Sequence, residues 1–180
     1  PIHVVTKVDL EFIPSNYKEL TGDKSAMDAI ICFKTADGKD GLIAIETKYS
    51  ENLGTNEASN TDKAIETIRQ LSCFNSDFEE RINKKKTKLT QIYRNFLLSE
   101  RYGLWIGAES YSIVLSPELH PSTDDEVLSV TNEMRPEYKG KLQSITLESF
   151  TNKLISESPE EYAEIFRRFR DRYLSFDRVE

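Results

Sequence analysis

The stretch from Ser25 to Tyr49, SAMDAIICFKTADGKDGLIAIETKY, constrains this chain more than any other. Two apolar runs, Met27 to Lys34 and Leu42 to Tyr49, are separated by Asp37-Gly38 and Asp40-Gly41, which are turn-forming pairs. The pattern predicts a β-hairpin whose strands belong in a core. Three charged residues break it. Asp28 opens the first strand, and Glu46 and Lys48 stand near the end of the second. An isolated charge in such surroundings is costly, so the three call for a shared role.

Strand side chains alternate, so Glu46 and Lys48 share a face and Thr47 points away. A turn centred near Gly38 sets Asp28 opposite Lys48 and diagonal to Glu46, within reach of one site. Two carboxylates that close repel unless a cation lies between them. Mg²⁺ suits the pair, because it is hard, takes oxygen ligands and keeps several waters; Mn²⁺ could substitute. The backbone carbonyl of Thr47 could supply another oxygen. Lys48 is close enough to hold or deprotonate an attacking water. These parts suffice for metal-assisted hydrolysis of a phosphodiester.

The rest of the chain supplies elements around the hairpin. From Lys7 onward the first strand alternates, with Val8, Leu10 and Phe12 one way and Lys7, Asp9 and Glu11 the other, and Pro14 ends it. Ser15 to Lys24 and Glu51 to Asn60 are polar and read as loops. Thr61 to Phe74 reads as a helix, with Ala64, Ile65, Ile68 and Leu71 inward. Asp77 to Lys88 is strongly charged. Lys88 to Tyr102 is a second helix, with Leu89, Ile92, Phe96 and Tyr93 on its apolar side and Gln91, Arg94 and Asn95 on or beside the other. Gly103 reads as its stop. Leu104 to Ile106, Tyr111 to Leu115 and Lys141 to Leu147 are strand candidates, and His120 to Arg135 is acidic and irregular, with room for a helical turn. A helix spans about Glu148 to Ile155. Ser158-Pro159-Glu160-Glu161 opens the last helix with a capping box, and Tyr162, Ile165, Phe166 and Phe169 are inward. The order predicts a central mixed β-sheet flanked by helices, in the α/β or α+β class, and one domain over residues 1–180.

Composition excludes several functions. A formal net charge of −7 opposes nonspecific coating of nucleic acid, though it allows a local metal site. Cys32 and Cys73 make no disulfide framework and fit a reducing cytoplasm. With His3 and His120 as the two histidines, the scattered Cys and His residues do not point to a structural zinc site. No apolar run is long enough to span a bilayer. No Gly-rich phosphate loop is present.

Asp28, followed by Glu46-Thr47-Lys48 on the next strand of a hairpin, resembles the PD-(D/E)XK nuclease superfamily, with its restriction-endonuclease-like fold. The resemblance implies that Asp28 and Glu46 bind Mg²⁺ and that Lys48 assists the attacking water. It also implies that a Gln on a following helix reaches the site. Gln91 is the match, with Gln70 its rival. Met27 stands where the motif has Pro. More narrowly, GDKSAMDAIICF, GLIAIETKYSE and the downstream QIYRN resemble a bacterial branch assigned to restriction endonucleases. DNA is then the expected substrate and a homodimer the expected acting unit, in restriction or another form of defence. The family places a helix before the first strand. This chain starts at Pro1 and enters a strand at once, which reads as a trimmed N-terminus. Two rivals stand beside this reading. One is a non-cleaving module of the same fold serving nucleic-acid binding or assembly. The other is a phosphoryl hydrolase acting on a small nucleotide.

Overall fold

The computed structural model describes residues 1–22, 24–50, 61–84 and 89–175. The expected polar loop at 51–60 and the Lys85-Lys86 part of the basic run lie outside them. Five strands form one mixed sheet: β1 (Ile2–Phe12), β2 (Met27–Thr35), β3 (Asp40–Thr47), β4 (Glu109–Ser116) and β5 (Leu142–Thr146). They lie in sequence order across the sheet. β1, β2 and β3 pair antiparallel as a meander, and β3, β4 and β5 pair parallel. Parallel neighbours need a crossover, usually helical. Between β3 and β4 that connection carries α2 (Asp62–Leu71), α3 (Ser76–Asn83) and α4 (Gln91–Ile106).

Of the remaining helices, α1 (Tyr17–Leu20) is a single turn between β1 and β2, α5 (Thr123–Glu133) precedes β5, and α6 (Leu147–Glu157) and α7 (Glu160–Tyr173) close the chain. Among the described residues no helix is long and apolar enough to cross a membrane. The mixed sheet with flanking helices is the expected fold class.

The two faces of the sheet are unequally covered. Even-numbered residues of β2 and β3 face α4: Ile30, Leu42 and Ala44 are buried with Leu98 and Ala108. A larger cluster fills the space among α2, α3, α4 and α5, including Ile68, Phe74, Phe78, Phe96 and Val130. On the opposite face, Leu115, Leu147 and Leu174 form a small cluster with Ile45, Ile113 and Ile145 beside it. β1 takes little part in either core. Val8 is paired with Ile31 and Leu10 with Ala29, yet they are 57% and 74% exposed. The expectation of a half-buried β1 on the Val8 and Leu10 side is corrected. A positive φ of 49° at Glu11 breaks the alternation, and Phe12 instead packs tilted against Tyr102, with ring centroids 5.0 Å apart.

Several boundaries also move. Gly103 does not stop α4. It lies inside the helix, where a Cβ would come within 2.8 Å of Ser110 Cβ, so glycine permits close packing on β4. The stop is Gly107, left-handed at φ 74°. Leu104 to Ile106 is therefore helix and not strand. Ser76 to Asn83, overlapping the charged run, is helical, with Asn75 Oδ1 accepting from Phe78 N at 2.8 Å as its cap. The acidic stretch after His120 contains α5, and the stretch read as a loop before β2 contains α1. α7 begins one residue later than the capping box predicts, without a side-chain cap. Its expected inward residues Tyr162, Ile165 and Phe169 are largely exposed, while Ala163 is buried. Arg167 and Arg168 pair with Glu160 and Glu164 on the same helix. Thr61 caps α2, its side chain accepting from Ala64 N at 3.0 Å. The thiols of Cys32 and Cys73 are free, and burial pushes both up, keeping them inert.

The hairpin carries its own signature. Phe33 is the cross-strand partner of Gly41, and its ring covers the glycine so closely that an added Cβ would lie 2.2 Å from Phe33 Cζ. The ring is buried because Gly41 has no side chain. Gly41→Ala therefore forces the aromatic ring from its seat and lowers stability by about 1–3 kcal/mol, read as a fall in Tm. An unchanged Tm would show that the ring moves freely.

Candidate active site

The hairpin register decides what the three charges can do. Ala29 pairs with Ile45 and Ile31 with Ile43. One step further places Asp28 beside Glu46, and not opposite Lys48 as the sequence predicts. The turn at Thr35 to Lys39 is the reason: Gly38 N donates to Thr35 O and Thr35 N to Lys39 O, both at 2.9 Å. A slip of two residues keeps every side chain on its face, so Asp28, Glu46 and Lys48 still converge. The convergence lies at the carboxyl end of β3, where the parallel strands β3 and β4 end together. Open α/β sheets place ligand sites at such ends.

Glu46 and Lys48 are 6% and 8% exposed. Lys48 Nζ lies 2.6 Å from Glu46 Oε1. The backbone of Lys48 is fixed as well, its N–H donating to Leu115 O at 2.7 Å. A buried ion pair of this kind contributes little net stability, because desolvating both charges offsets their attraction. Asp28 is half-buried, and its Oδ2 accepts from Thr47 N at 2.6 Å. Among the described residues Asp28 Oδ1 takes no hydrogen bond. Thr47 is thus tied to Asp28 through its amide, and its side chain points outward as alternation requires.

The helix α4 completes the site. Gln91, in its first turn, donates Nε2 to Glu46 Oε1 at 2.6 Å. Asn95, one turn on, donates Nδ2 to Glu46 Oε2 at 2.7 Å. Gln70, the rival glutamine, bonds Glu66 on its own helix instead. The expectation that Gln91 and Asn95 lie away from the apolar side is corrected. Both face the sheet, and Asn95 is 7% exposed. Asn95 is the residue that sequence reasoning missed as a site member. Its signal is present in QIYRN, since residues four apart share a helix face. Tyr49, next to the triad, donates its hydroxyl to Tyr173 O and so ties the end of α7 to the site.

The chemistry of this donor set fits a hard divalent cation. Asp28 and Glu46 offer carboxylate oxygens from adjacent positions on paired strands. Among the described residues no third acidic, His or Cys side chain gathers with them. Asp28, Glu46 and the Thr47 carbonyl are the groups that would hold it.

No curated protein and no solved structure matches the chain. A family model described as the PD-(D/E)XK nuclease superfamily matches residues 1–175. That span takes in every strand and helix of the fold, the hairpin with Asp28, Glu46 and Lys48, and the helix bearing Gln91. The chain belongs to the PD-(D/E)XK nuclease superfamily.

Proposed function

We propose that this chain is a metal-dependent endonuclease that hydrolyses phosphodiester bonds of DNA, with Mg²⁺ as its ion and Mn²⁺ able to substitute. The observation that carries the reading is the meeting of Asp28, Glu46 and Lys48 at the end of the hairpin, with Lys48 Nζ 2.6 Å from the Glu46 carboxylate. Asp28, Glu46 and the Thr47 carbonyl would hold the ion. When bound, it would neutralise phosphoryl charge and lower the pKa of water. Lys48 orients the attacking water and steadies the negative charge that grows on the phosphoryl oxygens. Gln91 and Asn95 keep the Glu46 carboxylate aimed at the site. Cutting both strands takes two active sites, so the acting unit is a homodimer. Its setting is the cytoplasm, in restriction or another form of defence.

Mn²⁺ titration followed by calorimetry tests the ligand assignment. Asp28→Ala should weaken binding at least tenfold, since it removes one of two charged ligands. Equal affinity in the variant would remove Asp28 from the site. Metal binding without DNA cleavage would favour the non-cleaving module of the same fold.

A further inference from the structure

Glu46 accepts hydrogen bonds and cannot give them when ionised. Asn95 must therefore turn its amide nitrogen toward Glu46 Oε2, and the 2.7 Å contact is of that kind. This forces Asn95 Oδ1 to the other side of the amide. There it is buried and has no hydrogen-bond partner among the described residues. Ser112, on the neighbouring strand β4 and directly paired with Ala44, is in the same condition. It is 7% exposed, and its Oγ is buried without a partner among the described residues. A buried polar group left so carries its full desolvation penalty.

Both residues line one small cavity, whose wall also includes Glu46, Ile92 and Phe96, and which offers about 20 Å³ to the centre of a water molecule. One water needs ~10–15 Å³ measured in that way, and two to four polar partners. The volume and the polar groups agree.

We infer that this cavity is a binding site for a single ordered water that bridges Ser112 Oγ and Asn95 Oδ1, fixing the amide that holds Glu46. The water donates to the Asn95 carbonyl oxygen and exchanges a second bond with the Ser112 hydroxyl. Ser112, which never touches the reacting atoms, is then a positioning residue. It sets the direction of the Glu46 carboxylate through the water and Asn95. The neighbouring serine on the same strand and face makes a natural control. Ser110 Oγ donates to buried Glu100 at 2.5 Å and has no part in the cavity.

The water itself does not depend on the nuclease reading; only its consequence for metal affinity does. A crystal structure of the protein at high resolution should show a density peak within hydrogen-bonding distance of both Ser112 Oγ and Asn95 Oδ1. No peak there, or a direct Ser112–Asn95 bond, overturns the inference. In Mn²⁺ titrations, Ser112→Ala should weaken binding about tenfold, as loss of an outer support does. Ser110→Ala should lower Tm and leave Mn²⁺ affinity unchanged. Equal effects of the two substitutions on Mn²⁺ affinity would reduce Ser112 to a structural role and overturn its positioning one. If the unaltered protein binds no Mn²⁺, the metal-site reading fails by itself, and the density alone decides the water.

Discussion

Lys48→Ala will lower the rate of DNA cleavage by about 10²–10⁴-fold while Mn²⁺ binding is kept. Groups that orient a water or handle its proton in the transition state contribute on that scale. Lys48 contacts Glu46 at 2.6 Å from a position that is 8% exposed, so no solvent cation can easily replace it. The cost in stability is separable. Breaking a buried ion pair by removing one partner costs about 3–5 kcal/mol when the other is stranded. Glu46 is not stranded, because Gln91 and Asn95 still donate to both of its oxygens. The expected loss is therefore nearer 1–3 kcal/mol, and cleavage assayed well below the lowered Tm isolates the chemical effect. Cleavage within threefold of the unaltered protein would remove Lys48 from the mechanism.

The second large effect belongs to the core that seats α4. Phe74 is fully buried, with ring centroids 4.6 Å from Phe78, 5.5 Å from Tyr93 and 6.1 Å from Phe96. Its backbone also links two regions: Phe74 bridges Met134, and its carbonyl accepts from Arg135 Nε at 2.9 Å. Phe74→Ala should destabilise the fold by about 3–5 kcal/mol, measured by denaturant unfolding. Because the aromatic cluster includes Tyr93 and Phe96, between and beside Gln91 and Asn95 on α4, the site should loosen with it. A loss under 1 kcal/mol would mean that the cluster collapses around the gap without cost.

The hairpin was legible because period-two alternation and turn residues are local signals. They place Glu46 and Lys48 on one face whatever the register, and a slip of two residues moves Asp28 from Lys48 to Glu46 without changing faces. The register itself was not legible, because two Asp-Gly pairs compete for the turn. The extent of α4 was misread at Gly103, since a glycine needed for close approach to Ser110 looks the same in sequence as one needed for a left-handed stop. α5 was legible only as a helical turn, because its buried apolar residues, Val127 and Val130, are too few to set a period. Asn95 was misread for a different reason. A polar residue on an amphipathic helix ordinarily faces water, and here the polar partner that draws it inward, Glu46, lies 49 residues away in sequence.

In the proposed nuclease, Glu46, held beside Asp28 and Lys48, carries the cleavage chemistry. The most direct measurement is cleavage of supercoiled plasmid and linear duplex DNA in Mg²⁺, in Mn²⁺ and with a chelator, comparing the protein with Glu46→Gln. That substitution keeps the size of the side chain and removes its charge. Cleavage is expected to require the divalent ion and to fall at least a thousandfold in Glu46→Gln. Equal rates in the two proteins, or metal-independent cleavage, would contradict it.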